Sequence, residues 1–315
     1  MNETKKRKVV LVGVGFVGMS MAFSLFNTGG IDELVLIDID QNKATGEAMD
    51  LNHGLPYSQH YMEIKTGDYK DCQDADVVVI SAGANQKPGQ SRLELTKINA
   101  KIMVDITNNI MASGFDGIIV VASNPVDLMS YIVYKTSSLP SHKVIGTGTL
   151  LDSARLKYYL GEYLQISSKN IHAYILGEHG DSSFVPWMNC MVGCKSLLEY
   201  VVEKDYDMNY LQNIYQDVKM AANEIIEKKQ ATYYGIGLAL NRLLQAIFND
   251  ENVVLCVSCL QNGEYQQKDL YIGVPAIINR QGIREIIRLE LNDNDQNKFN
   301  KSANTLKENL NTYFL

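Results

Sequence analysis

The sequence predicts an α/β fold: a doubly wound parallel sheet followed by a second, C-terminal α+β lobe. Three observations carry that expectation. Apolar runs of strand length alternate with helical segments through the first half. A glycine-rich turn, Gly13-Val14-Gly15-Phe16-Val17-Gly18, separates the first strand from the first helix, and an acid, Asp38, ends the second strand. Late in the chain, strand-like runs follow one another directly, joined by turns such as Asn262-Gly263. At 315 residues the chain can hold two lobes, which we divide at 1–147 and 148–315.

Lys8–Val12 reads as a buried strand, Met19–Phe26 as a helix and Glu33–Ile37 as the next strand. This is the Rossmann unit, with an acid about 20 residues beyond the last glycine. Gly13 permits the tight turn, Gly15 lets the main chain approach a pyrophosphate, and Gly18 lets the helix pack on the sheet. The free amides at the helix N-terminus favour anionic oxygens. Asp38 accepts from a ribose diol and repels a 2′-phosphate, so the expected cofactor is NAD rather than NADP. The bland alternative is an α/β turn with no ligand.

A helix about Asn42 to Asn52 carries Lys43, and a strand near Glu63–Thr66 precedes Tyr69. Ala75–Ala84 reads as the fourth strand, running into Gly83 and Ala84. Ligands bind beyond the carboxyl ends of parallel strands. The polar segment Asn85-Gln86-Lys87-Pro88-Gly89-Gln90-Ser91-Arg92 is therefore expected beside the cofactor, as a loop that closes over substrate. Were it only a solvated connection, Lys87 and Arg92 would be ordinary surface charges. A helix, Leu93 to Ser113, leads to a fifth strand, Gly117–Ala122, then to Ser123-Asn124-Pro125-Val126-Asp127, with Pro125 in the first turn of a helix reaching Lys135. The Asn124 amide can hold a ligand oxygen or cap the helix. Lys143–Thr147 closes the first lobe.

In the second lobe, Asp152 and Arg155 share a helix face. They form either a surface ion pair or a carboxylate clamp with an orienting acid. A strand, Ile171–Leu176, enters Leu176-Gly177-Glu178-His179-Gly180-Asp181-Ser182, where two glycines bracket a histidine. Histidine titrates near neutrality and suits proton transfer; a lone loop histidine is otherwise a surface residue. Val201–Lys229 reads as one helix, and a further helix begins at Ala231–Gly237, with Thr232 facing the cleft. Strands at Asn252–Leu260, Tyr265–Gly273 and Val274–Ile278 precede a terminal helix, Asp295–Thr312.

A net charge of −7 argues against nucleic acid as a main partner. The polar, basic start lacks a signal-peptide pattern, and no run reaches membrane-span length, so no membrane association is expected. Five scattered cysteines do not suggest a disulfide framework. Cys256 and Cys259 have CxxC spacing but sit in a strand without a histidine nearby, so buried thiols are expected rather than a metal site. A reducing, cytoplasmic setting follows.

Taken in order, the segments 13–18, 83–92, 123–127, 151–155, 177–182 and 231–235 closely resemble the lactate/malate dehydrogenase family, and within it the bacterial L-lactate type. The resemblance spans nearly the whole chain. It implies NADH-dependent, reversible reduction of pyruvate to L-lactate, the end step of fermentative glycolysis, by a homotetramer. It implies His179 as acid/base, Asp152 as its orienting partner and Arg92 as the residue that polarises the carbonyl. Arg155 would bind the substrate carboxylate, with Asn124 and Thr232 also at the substrate. Contacts to NAD would come from Gly13, Gly15, Val17, Gly18, Asp38, Lys43, Tyr69, Gly83, Ala84, Ala122, Ser123, Asn124 and Thr147. Malate dehydrogenases of the family carry arginine where this chain has Gln86. A neutral amide leaves a second substrate carboxylate unpaired, which selects a monocarboxylate. Allosteric relatives bind fructose 1,6-bisphosphate through an arginine and a histidine; Lys157 and His172 stand at those positions, and lysine lacks the bidentate fork. Two rivals stay open: a dehydrogenase of larger 2-hydroxy acids, and a catalytically silent NAD-binding protein.

Overall fold

The structure is a computed structural model and describes residues 5–84, 89 and 92–314, with the side chains of residues 92, 313 and 314 outside the description. The first half builds six parallel strands: β1 (Lys8–Val12), β2 (Glu33–Ile37), β3 (Glu63–Thr66), β4 (Val77–Ile80), β5 (Ile118–Val121) and β6 (Val144–Gly146). Their spatial order is β3-β2-β1-β4-β5-β6, so the order reverses between β1 and β4. The connections run through α1 (Phe16–Thr28), α2 (Gln41–His53), α3 (Arg92–Ala112) and α4 (Val126–Ser137). Every residue of β1, β2, β4 and β5 is buried. Helices cover both faces of the sheet, which is why these strands are continuously apolar rather than alternating. Each fully buried valine or leucine contributes about 1.5–3 kcal/mol of transfer energy.

The second half begins with α5 (Leu150–Leu164) and a small antiparallel sheet of β7 (Ile171–His172), β8 (Met191–Val192) and β9 (Lys195–Ser196). α6 (Leu197–Glu203), α7 (Tyr210–Lys229) and α8 (Tyr234–Phe248) follow. A meander of β10 (Val253–Asn262), β11 (Lys268–Asn279) and β12 (Gly282–Ile286) precedes α9 (Asp293–Phe314). A second apolar cluster, including Leu156, Leu160, Ile171, Leu211, Ile214 and Val218, packs α5 and α7 on the small sheet.

Three expectations are corrected, and one join was not foreseen. β10 pairs antiparallel with β6 at Ser258 and Gly146, so the meander and the parallel strands make one nine-stranded sheet. Glycines allow that approach, because a Cβ on Gly146 would lie 2.8 Å from Ser258 Cβ and one on Gly148 2.4 Å from Ser258 N. The helix expected over 201–229 breaks between α6 and α7. There Tyr206 turns inward, its ring 5.1 Å from that of Tyr163 and its hydroxyl donating to Leu164 O. Only Ile171–His172 of the expected strand 171–176 joins a ladder; Leu176 and Gly177 make single bridges to Phe184 and Gly273. The two strands expected at 265–278 are one strand, β11, with Pro275 paired opposite Cys256, and β12 was not expected.

Candidate active site

The glycine turn has the geometry its sequence demands. Gly13 adopts φ +99°, and a Cβ there would lie 2.6 Å from Ala82 N. A Cβ on Gly18 would meet Gly13 O at 2.3 Å. Neither position admits a side chain. Gly15 differs: a Cβ there meets nothing within 4 Å. It is also the N-cap of α1, with no side-chain cap and no acid in the first turn. That leaves main-chain amides and open space for an anion. Asp38 flanks the turn, its Oδ2 accepting the Val14 N–H at 2.8 Å and its Oδ1 the Asp40 N–H at 3.0 Å. Each oxygen keeps a lone pair for a diol. These features fit a dinucleotide.

The other expected cofactor residues lie at or just beyond the carboxyl ends of the parallel strands. Val17 is half-buried in the first turn of α1, and exposed Lys43 starts α2, its N–H donating to Asp40. Tyr69 follows β3; burial pushes its phenol up to about 12. Gly83 and Ala84 follow β4, and the Ala84 N–H donates to Asn99 Oδ1 at 2.8 Å. Ala122, Ser123 and Asn124 follow β5, and Thr147 follows β6. The Ser123 hydroxyl is already committed, donating to Ala82 O at 2.5 Å. The Asn124 side chain is exposed, on a residue joined to Pro125 by a cis peptide. Pro125 caps α4 rather than entering its first turn.

Asp152 and Arg155 occupy α5, just past the end of β6. The histidine turn meets them there. His179 Nδ1 lies 2.6 Å from Asp152 Oδ2, and Arg155 Nη1 donates to Asp152 Oδ1 at 3.2 Å. A carboxylate only accepts, so Nδ1 carries the proton and Nε2 is left for a ligand. Burial alone would raise the Asp152 carboxyl, but the His179 and Arg155 charges outweigh it and hold the group below the ordinary carboxylate range. Burial alone would lower His179; the Asp152 carboxylate, with help from Asp127, raises it above the ordinary imidazole value.

Main-chain contacts fix the turn. Gly177 and Gly273 exchange N–H···O bonds at 3.0 Å. Gly177 has φ +103°, and a Cβ there would lie 2.6 Å from Ser302 Oγ of α9. Gly180 is not in the left-handed region, so only one of the two bracketing glycines is required by main-chain geometry. The Glu178 N–H donates to Ser302 Oγ at 2.7 Å, and the Ser182 hydroxyl donates to Glu178.

Thr232 is half-buried just before α8. The neighbouring Tyr233 ring stacks on Phe16 of the glycine turn, centroids 5.1 Å apart. Below it, Asn241 of α8 donates to Ser24 and Thr28 of α1, both at 2.8 Å. The two regions are thus held together, which the sequence reading did not anticipate. It also missed Asp127, Ser258 and Ser302, which touch the histidine turn or one another. The available signal was a single charged residue in the run Val126–Val133. Gln86 and Lys87 lie outside the described residues; Arg92 opens α3, but its side chain is likewise outside the description.

The Lys157 Nζ lies 5.0 Å from the Tyr174 ring centroid, and His172 is exposed in β7. Cys256 and Cys259 are buried free thiols in β10. Among the described residues no cluster of acids, histidines or cysteines could hold a metal ion, and no helix is long and apolar enough to cross a membrane.

Residues 7–146 match the model of the lactate/malate dehydrogenase NAD-binding domain, and 149–314 that of the lactate/malate dehydrogenase α/β C-terminal domain. An L-lactate dehydrogenase of Geobacillus sp. (strain WCH70) is 50% identical over 308 residues, 98% of this chain and 97% of that protein. One of Lactococcus lactis subsp. cremoris (strain NZ9000) is 50% identical over 303 residues, 96% of each. A solved lactate dehydrogenase from a Medee basin deep-sea metagenome library superposes with a TM-score of 0.97 at 52% identity, covering 99% of this chain and 100% of that one. The ligand-bound minor L-lactate dehydrogenase of Enterococcus mundtii gives 0.96 at 48% identity, covering 98% and 99%. With both halves matched and the two glycine and histidine turns in place, the chain belongs to the lactate/malate dehydrogenase family of NAD-dependent oxidoreductases.

Proposed function

We propose that this chain reversibly reduces pyruvate to L-lactate with NADH, and that His179, Asp152, Arg155, Arg92, Asn124 and Thr232 carry the reaction. The observation that supports it most is the His179–Asp152–Arg155 chain of contacts beyond the end of β6. NADH, when bound, supplies the hydride to the substrate carbonyl carbon. The protonated His179 donates from Nε2 to the carbonyl oxygen, and the neutral ring left behind keeps its Nδ1–H on Asp152. In the reverse direction neutral Nε2 takes the hydroxyl proton. Arg155 spends one N–H on Asp152 and has four others for the substrate carboxylate. By family resemblance Arg92 stabilises charge growing on the carbonyl oxygen, Asn124 hydrogen-bonds the substrate, and Thr232 lies beside its methyl group.

The same reading assigns residues 1–147 to cofactor and 148–315 to substrate. In support, the parallel strands end at β6, and Asp152, Arg155, His179 and Thr232 all follow it. A homotetramer is inferred by resemblance. Phe16 and Phe23 on α1 and Tyr234 and Leu238 on α8 are each at least 60% exposed, which suits burial against other subunits. The five free thiols suit a reducing cytoplasm.

Gln86 supplies the test. NADH oxidation should be faster with pyruvate than with oxaloacetate, and Gln86→Arg should shift that ratio toward oxaloacetate by about 10²-fold or more. An unchanged ratio removes Gln86 from the substrate site. No oxidation with any 2-keto acid, despite NAD binding, returns the silent binding protein.

Fructose 1,6-bisphosphate is inferred as an activator at Lys157 and His172. The support is a half-buried lysine with no hydrogen bond or ion pair among the described residues, its pKa lowered by burial, which an anion would relieve. Added bisphosphate should raise the rate at limiting pyruvate, measured at neutral and acidic pH; a flat response at both ends this inference.

A further inference from the structure

Asp127 is buried, 3% exposed, in the first turn of α4. Its Oδ2 accepts the main-chain N–H of His179 at 2.8 Å, and its Oδ1 accepts the Ser258 hydroxyl at 2.5 Å. Ser258 is the residue of β10 that pairs with β6. One carboxylate therefore joins the end of the parallel sheet, the meander and the histidine turn. It has no lysine or arginine in contact among the described residues. Burial pushes it up to about 6, against the pull of Ser258 and of the His179 N–H; both its oxygens accept from donors, the arrangement that favours the carboxylate. A buried charge without a dedicated cation is costly. The groups facing it are His179 and Glu178 from the histidine turn and Ser258 and Cys259 from β10. Only His179 among them can become a cation.

We propose that Asp127 is a positioning residue for proton transfer: it fixes the main chain of His179 and adds, to the charge of Asp152, a second negative charge that favours the imidazolium. This rests on the reading of His179 as the proton donor. The sign agrees with the Coulombic effect of Asp127 on His179, which raises the imidazole and is opposed by Arg155.

Asp127→Asn keeps an oxygen for the His179 N–H and a group of the same size beside Ser258, but removes the charge. Two readouts separate charge from structure. One is the imidazole titration of His179 by NMR, assigned among the five histidines by its loss in His179→Asn. The other is the pH profile of turnover in both directions. The His179 midpoint should fall by about one pH unit in both readouts. Pyruvate reduction would then fail at lower pH, and lactate oxidation would rise at lower pH. Ser258→Ala should give a smaller shift of the same sign, because Asp127 loses a donor that favours its anion. A folded Asp127→Asn with an unmoved midpoint overturns the proposal, including the case where turnover drops without a shift. Should Asp127→Asn not fold, an unmoved midpoint in Ser258→Ala overturns it. The NMR arm needs no turnover, so it decides the Asp127–His179 coupling even if pyruvate proves not to be the substrate.

Discussion

Replacing His179 by asparagine is expected to lower turnover of pyruvate by about 10²–10⁴-fold, the range for loss of a positioned proton donor. Asparagine can still hydrogen-bond Asp152, so the fold and cofactor binding should survive; a thermal melt and NADH fluorescence check this. The pH dependence of the unsubstituted protein makes the stronger test. Reduction needs imidazolium and oxidation needs neutral imidazole. The His179 pKa lies above the ordinary value, held up by Asp152 and Asp127 against the opposing effect of burial. Reduction should therefore persist through neutral pH and fall as pH rises past that raised midpoint. Oxidation should rise across the same midpoint. Initial rates in both directions across about pH 5 to 9 measure this. If both rise together with pH, His179 is not the proton shuttle.

Arg155→Leu should cost as much, in a different kinetic constant. Arg155 is 13% exposed at its side chain and contacts Asp152. Without it, the substrate carboxylate enters a largely buried site unpaired, a loss of about 3–5 kcal/mol. That corresponds to a fall of about 10²–10⁴-fold in kcat/KM, most of it as raised KM. Arg155→Lys should recover little, because an ammonium cannot form two parallel hydrogen bonds to a carboxylate. A secondary sign is also fixed. Arg155 opposes protonation of His179, so its removal should move the His179 midpoint up. Separate fits of kcat and KM, with the pH profile, distinguish a lost clamp from a damaged His179. An unchanged KM in a folded Arg155→Leu would exclude Arg155 as the carboxylate ligand.

Much of the molecule is legible from local pattern. Strands such as Val77–Ile80 announce themselves because a parallel strand covered on both faces must be apolar throughout. The spacing of Gly13, Gly15 and Gly18 is legible because each solves a different steric problem within one turn, and the built geometry shows two of them closed to any side chain and one open. Asp152 and Arg155 are legible because residues three apart on a helix share one face. The order of these motifs along the chain, rather than any one of them, carried the family resemblance.

What the sequence by itself determined was the set of local units: the parallel strands, the glycine turn, the acid after the second strand and a histidine in a glycine-flanked turn. Tertiary structure decided how they meet. Asp127 and Ser258 are 131 residues apart, and Glu178 and Ser302 are 124 apart. No period or spacing marks such pairs, because each is a hydrogen bond made only after separate elements dock. The join of β10 to β6, the break before α7 and the stacking of Phe16 on Tyr233 have the same origin. Local propensity sets the elements, whereas packing among distant ones decides which buried polar groups find partners, and here one of those partners, Asp127, holds the histidine turn.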